Sequence, residues 1–309
     1  MGIDYLLFLQ NIRESMPALA SIMNAVTHLG GSTISVVLIA VIYWCISKRT
    51  GVRIGMALSI GNITNQLLKN ICCINRPWIL DSRIVPDPGA IEGATGYSFP
   101  SGHSQNAMSI YGTIAADVNK RIWKILIFLV AFIVAFSRNF LGVHTPRDVV
   151  AGLAVGFVGV VASGILLDWL EAGENRDLLW AGVMIAITVA FLAYTSLKPY
   201  EAVYDGSELL VDPEEMIADC YKVAGVIFGI CIGWPCERRW VRFTTEVSAR
   251  TKIFRGIAGV VLVAAANFAC KSIGAGIGIW AAGFIESFVP VIIVILIWPM
   301  IFTLIEKRM

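Results

Sequence analysis

Three short stretches of this chain carry residues whose types and spacing can do chemistry. In KNICCINRP, Lys69 and Arg76 stand seven residues apart. At about 100° per residue, that spacing returns nearly to the same helix face, so two cations look the same way. Taken alone, such a pair can also be Lys and Arg snorkelling to a membrane interface. In GYSFPSGHSQNA, Pro100 and Ser101 stand where a helix should begin, with Ser101 a favoured N-cap. The free amides and dipole of a helix start make an anion site, Gly102 lets a ligand approach the backbone, and His103 hangs at the rim. Plain helix capping is the alternative for that stretch. In SRNFLGVHTPRD, Thr145, Pro146 and Asp148 read as N-cap, first turn and third position of another helix. His144 and Asp148 are four apart, so the carboxylate can reach one ring nitrogen and leave the other as an acceptor. Arg138 lies just before.

Together the stretches supply Lys69, Arg76 and Arg138 as cations, two histidines and two helix starts. Clustered cations repel one another unless an anion joins them. The ligand implied is a tetrahedral oxyanion, most simply phosphate. Phosphoryl transfer needs positive charge on the equatorial oxygens, an in-line nucleophile and a proton donor for the leaving group. All three are present, and the chemistry calls for no metal or other cofactor.

The elements that must position these residues are membrane helices. Only 15% of the 309 residues are charged, against roughly 25% in soluble domains, and mean hydropathy is +0.74. Apolar runs of about 20 residues, enough to cross a bilayer core, recur along the chain. The expectation is an all-α polytopic bundle with spans at about 31–47, 51–73, 102–118, 122–138, 146–169, 178–197, 217–236, 254–272 and 279–303. Segment 16–29 is short for a span and reads as a half-helix packed on the first. Fifteen of the 24 basic residues fall in alternate loops, at 48–53, 120–124, 176, 238–255 and 307–308. The positive-inside rule makes those loops cytoplasmic and puts all three chemical stretches on the outer face, with the acidic loop Lys198 to Glu215. The multi-pass topology fits a bacterial inner membrane with an extracytoplasmic site; in an endoplasmic reticulum membrane the same topology puts the site in the lumen. The N-terminus lacks the basic region and cleavage site of a signal peptide. The seven cysteines lie mostly in apolar runs without zinc-ligand spacing, so no metal site and no disulfide framework is read. No basic stripe with interleaved aromatics points to nucleic acid, and nothing specifies an oligomeric state.

The pattern Lys69-x6-Arg76-Pro77, then Pro100-Ser101-Gly102-His103, then Ser137-Arg138-x5-His144-x3-Asp148 resembles the tripartite signature of the type 2 phosphatidic acid phosphatase superfamily in order and spacing. The resemblance implies a six-span core with three to four extra spans. It divides the chain into N-terminal half-helices (1–30), a phosphatase core (31–170) and additional spans (171–309). It implies that His144 is a nucleophile forming a phosphohistidine, that Asp148 orients it and that His103 protonates the leaving alcohol. Lys69, Arg76 and Arg138, with the backbone at Ser101 and Gly102, then bind phosphate oxygens. Ser137 is a weaker candidate and can be structural. The substrate implied is a lipid phosphate or diphosphate that reaches the site within the bilayer. A soluble phosphomonoester such as glucose 6-phosphate is the second reading. A phosphate or phospholipid transporter is a third, although it has no need of His144 paired to Asp148, and no inverted repeat is visible. His28 reads as an interfacial histidine, and Asn267, Lys271 and Glu286 are polar groups in the last spans without an assigned role.

Overall fold

The computed structural model describes residues 2–205, 208–274 and 276–308. Gly206 and Ser207, in the acidic loop, lie outside the described residues. The chain opens with helices α1 (Gly2–Ser15) and α2 (Pro17–Thr27), a 3-10 turn (His28–Gly30) and α3 (Ser32–Val41), which runs on as a π-helical turn (Ile42–Ile46). Next come α4 (Lys48–Cys72), two single-turn helices α5 (Pro77–Leu80) and α6 (Pro88–Ile91), then α7 (Gly102–Asp117), α8 (Arg121–Phe140), α9 (Pro146–Glu171) and α10 (Arg176–Leu197). An antiparallel pair, β1 (Val203–Asp205) and β2 (Glu208–Val211), leads to α11 (Pro213–Cys236) with a π turn (Glu237–Val241). The chain closes with α12 (Ala249–Gly274), α13 (Ile279–Ile292) with a π turn (Ile293–Ile297), and α14 (Trp298–Glu306).

The fold is an all-α polytopic helical bundle, and each expected span falls on a helix. Among the described residues six helices are long and apolar enough to cross a membrane; a seventh is reached if Pro17–Gly30 and Ser32–Ile46, bent by 55°, form one broken span. That pairing bears on segment 16–29, read from sequence as a half-helix. Helices α4 and α7 do not reach the standard on their own. The first carries Lys48, Arg49, Arg53 and Lys69 with several amides, and the second is 16 residues long and begins Gly-His-Ser-Gln-Asn. Both owe their polarity to the residues singled out for chemistry or to basic loop ends.

Two compact units interleave along the chain. The first comprises Met1–Ser35, Ile60–Ala162 and Pro199–Met216. Its core holds Leu9, Ala90, Ala94, Phe140, Leu141 and Val143, so helix α1 and the turn after α8 share one apolar cluster. Arg13, itself buried, donates to Phe140 O (3.0 Å), a carbonyl at the end of α8, and to Val85 O in the loop before α6. A smaller cluster joins Tyr97 to Val211 and Met216. Helices α7 and α9 meet through glycines. A Cβ added at Gly156 would stand 2.6 Å from Gln105 O and 2.7 Å from Met108 Cβ, so the backbones approach closer than any larger residue allows.

The second unit comprises Val36–Ser59, Ser163–Lys198 and Ile217–Met309. The π turn at Ile293–Ile297 has a physical cause. Pro299 has no N–H to give Ile295 O one turn back, and Tyr43 Oη donates to that carbonyl instead (3.3 Å), while Trp44 Nε1 donates to Val294 O (2.7 Å). The aromatic groups come from the π turn at Ile42–Ile46, so these two irregularities meet. Arg255 is buried beside them, paired with Glu306 at 2.7 Å and lying 4.1 Å from the Phe302 ring centroid.

The glycine contact between α7 and α9 sets a stability expectation. Gly156→Val should destabilise the protein by about 1–3 kcal/mol through overpacking, read as a lower unfolding temperature in detergent. An unchanged midpoint would show that the two helices can part without cost.

Candidate active site

The two helix starts are each capped by a side chain and joined to one another through the backbone. Ser101 caps α7, its Oγ accepting from Ser104 N (3.4 Å) and from Ser104 Oγ (2.9 Å). Thr145 precedes α9, and Asp148 reaches back so that its Oδ2 accepts from Thr145 N at 2.8 Å. Ser101 N donates to Asp148 O at 2.9 Å, which fixes one helix start against the other. A Cβ added at Gly102 would meet nothing within 4 Å, so open space lies over the first amides of α7. That suits close approach of a ligand, as the sequence pattern implied.

His144 is buried. Arg76 Nη1 stands 2.9 Å from Nε2 and 3.4 Å from Nδ1, so the guanidinium lies over the ring and not along the lone pair of either nitrogen. Ser98 gives its proton to Asp148 and leaves its oxygen as the acceptor beside Nδ1, which favours the ring proton there and the lone pair on Nε2. Nδ1 looks toward Ser98 Oγ (3.4 Å) and Asp148 Oδ2 (3.8 Å). The carboxylate is therefore beyond direct hydrogen-bond reach of the ring in this state, and Ser98 stands between, donating to Asp148 Oδ2 at 2.7 Å. Burial holds the His144 imidazole well below its ordinary pKa and the Arg76 charge pushes it the same way, against the pull of Asp148. The ring is neutral at neutral pH.

Arg76 is itself tightly held. Its Nε donates to Gly96 O (2.9 Å), Nη2 to Thr95 O (2.6 Å) and Nη1 to Val143 O (3.1 Å). Gly96 has φ +55°, and Met216 occupies the space a side chain there would take, so glycine is required at that point. Lys69 and Arg138 are also buried. Arg138 Nη1 donates to Thr27 Oγ1 at 2.7 Å, Nη2 approaches Gly93 O at 3.5 Å, and Nε has no acceptor among the described residues. His103 is half-buried and sits where Gly93 and Gly31 leave room; a Cβ on either would stand 3.3 Å from its Cε1 or 3.8 Å from its Nε2. Arg138, His144, Arg76 and Lys69 are all near enough to His103 to act on it electrostatically.

All eight residues expected from the sequence thus fall within the first unit around one locus. Ser137 does not join them: its hydroxyl donates to Val134 O (2.6 Å) in its own helix. His28 is exposed. Asn267, Lys271 and Glu286 belong to the second unit. Ser98, Thr27 and Asn139 were not singled out by sequence. Asn139 Nδ2 donates to His144 O (2.9 Å) and so sets the histidine backbone. Ser98 lay inside the quoted motif, but no spacing rule marks it, and Thr27 is more than a hundred residues from its partner. Among the described residues no group of three or more His, Cys, Asp or Glu side chains could hold a metal ion.

Comparison with known proteins matches residues 50–170 to the family model described as PAP2 superfamily, and residues 221–308 to the one described as PAP2 superfamily phosphatase, transmembrane extension. The chain is 32% identical over 153 residues to phosphatidylglycerophosphatase B of Bacillus subtilis (strain 168), covering 46% of this chain and 72% of that protein. It is 25% identical over 160 residues to a putative undecaprenyl-diphosphatase of Escherichia coli (strain K12), covering 49% of this chain and 77% of that protein. A probable sphingosine-1-phosphate phosphatase of Dictyostelium discoideum is 27% identical over 183 residues, covering 54% of this chain and 44% of that protein. No solved structure matches.

Because Ser98 bridges the imidazole and the carboxylate, Ser98→Ala should slow phosphoester hydrolysis by about 10- to 100-fold with little change in unfolding temperature. Full activity in that variant would show that Asp148 acts on His144 directly once substrate is bound.

Proposed function

The chain belongs to the PAP2 superfamily, and on that premise we propose that it is a membrane phosphatase that removes phosphate from a lipid phosphate or diphosphate through a phosphohistidine. The observation that carries this is the neutral His144, with a buried arginine against its ring and its Nδ1 side backed by Ser98 and Asp148. The names of the relatives, phosphatidylglycerophosphatase B and putative undecaprenyl-diphosphatase among them, support a lipid substrate.

The geometry translates into steps. An incoming phosphate takes the Arg76 N–H that now faces the His144 ring, together with the Lys69 and Arg138 cations and the first amides of α7. The lone pair of Nε2 attacks phosphorus as the ester P–O bond breaks, and the positive charge that appears on the ring is stabilised through Ser98 and Asp148. His103, protonated once the bound phosphate offsets the cations around it, gives its proton to the departing lipid oxygen. The same His103, now neutral, takes a proton from water as that water attacks the phosphohistidine. The P–N bond breaks, inorganic phosphate leaves and His144 returns to its starting state. The distribution of Lys and Arg supports an extracytoplasmic site, where a lipid headgroup reaches the pocket without its chains leaving the bilayer.

The test is phosphate release by purified protein in detergent. Phosphatidic acid, phosphatidylglycerol phosphate, undecaprenyl diphosphate and glucose 6-phosphate are offered in parallel with EDTA present. Release from a lipid that disappears in His144→Ala is the expected result. Undiminished release by that variant would remove the nucleophile assignment, and a rate restored only by added Mg²⁺ would remove the mechanism written here. Preference for glucose 6-phosphate would replace the lipid with a soluble substrate.

A pH profile checks the charge state separately. The nucleophile must be unprotonated, and its pKa in the free enzyme lies below the ordinary imidazole value. The acid limb of kcat/KM should therefore lie below about pH 6.5. A limb at or above that value would mean that His144 is not the titrating base.

A further inference from the structure

The family match begins at residue 50, yet the segment before it reaches the cations. Helix α2 lies against α8, and its last residue, Thr27, is buried with its hydroxyl oxygen accepting from Arg138 Nη1 at 2.7 Å. Arg138 is 1% exposed and makes no ion pair among the described residues. Its other contacts are weak or missing: Gly93 O lies 3.5 Å from Nη2, and Nε is buried without an acceptor. Among the described residues Thr27 thus makes the one short hydrogen bond that orients this guanidinium. The same segment continues into Gly30 and Gly31, whose lack of side chains lets the turn press on His103. A Cβ at Gly30 would stand 2.9 Å from His103 O and 2.8 Å from Val134 Cγ1. Tyr111 Oη donates to Leu29 O (3.1 Å), which ties this turn to α7.

We propose that Thr27 is a positioning residue of the phosphate site, and that the turn it begins, residues 27–31, completes the catalytic centre from outside the matched family region. A planar guanidinium recognises phosphate through direction as well as charge, so a cation free to swing binds less and stabilises the transition state less. Thr27 supplies direction by taking the N–H on one edge of the fork, which leaves Nε and the remaining N–H groups to the anion. A hydroxyl does this without charge. A carboxylate in its place would neutralise Arg138 and compete with the substrate. This inference rests on the phosphatase reading, since positioning matters only if Arg138 meets a phosphate.

The test compares Thr27→Val, which keeps the shape and loses the hydroxyl, with Thr27→Ser, which keeps it. Each is measured for kcat/KM on the preferred lipid phosphate, for inhibition by vanadate and for unfolding temperature. Thr27→Val should lose roughly 10- to 100-fold in kcat/KM, as expected for a hydrogen bond to a charged group, with a parallel weakening of vanadate. Thr27→Ser should stay close to wild type, and neither should change the unfolding temperature. In an Arg138→Ala background, Thr27→Val should cost nothing further, because its effect passes through that arginine. Wild-type rates and vanadate affinity in Thr27→Val would overturn the proposal. So would an undiminished loss in the Arg138→Ala background, or an equal loss in both Thr27 variants with lowered unfolding temperature. If the wild type binds vanadate but releases phosphate from nothing offered, the hydrolase reading fails, and the vanadate affinity of Thr27→Val still decides whether Thr27 orients the anion site.

Discussion

The buried guanidinium of Arg76 is the point on which the rest of the site depends. Its N–H groups reach Thr95 O and Gly96 O on one loop, Val143 O on another, and the ring of His144. A buried cation without such acceptors would be costly enough to rearrange the fold around it. The requirement therefore works in reverse: two loops that carry no regular structure are held in one arrangement because Arg76 needs their carbonyls. Gly96, in the left-handed region, turns its carbonyl toward the guanidinium, and Met216 packs over it. The position of His144 follows, since Val143 and Asn139 fix its backbone on either side.

Asp148 shows how one residue serves structure and chemistry together. Its carboxylate caps the start of α9 through Thr145 N, accepts from Ser98, and stands beside His144, while its backbone carbonyl accepts from Ser101 N. Removing the carboxylate would release the start of α9 as well as the imidazole. Such sharing places the reactive groups on the ends of rigid helices, where the backbone itself sets their direction.

Much of this was legible in the sequence because the residues obey local rules. Ser101 and Thr145 are caps, Pro146 is a first-turn proline, and His144 to Asp148 is one helical turn; each follows from backbone geometry alone. The helical class and the places of the helices follow from apolar runs. Spanning character was less legible, because α4 and α7 carry polar side chains that lower their hydropathy. Ser98 and Thr27 were not legible at all. A lone serine in a loop and a threonine at a helix end carry no periodic signal, and their partners arrive only through packing. The π turns lie between these cases. Pro299 announces a missing donor, but only the fold shows that Tyr43 makes up for it.

The choice of partners for the cations has a consequence for binding. The acceptors shown for Arg76 and Arg138 are carbonyls, a ring nitrogen and a hydroxyl. Neutral acceptors satisfy N–H groups and so lower the cost of burial, yet they leave the net charge in place. A carboxylate would lower that cost further but would cancel the field at the point where a phosphate must sit. The carboxylate beside His144, Asp148, is turned to Ser98 and Thr145 instead, on the Nδ1 side of the ring. Positive charge thereby stands against the His144 ring and negative charge beyond its Nδ1. Attack by Nε2 moves positive charge onto the ring, toward the carboxylate, and brings the phosphoryl oxygens toward the cations. The polarity built into the resting site is the polarity the reaction develops.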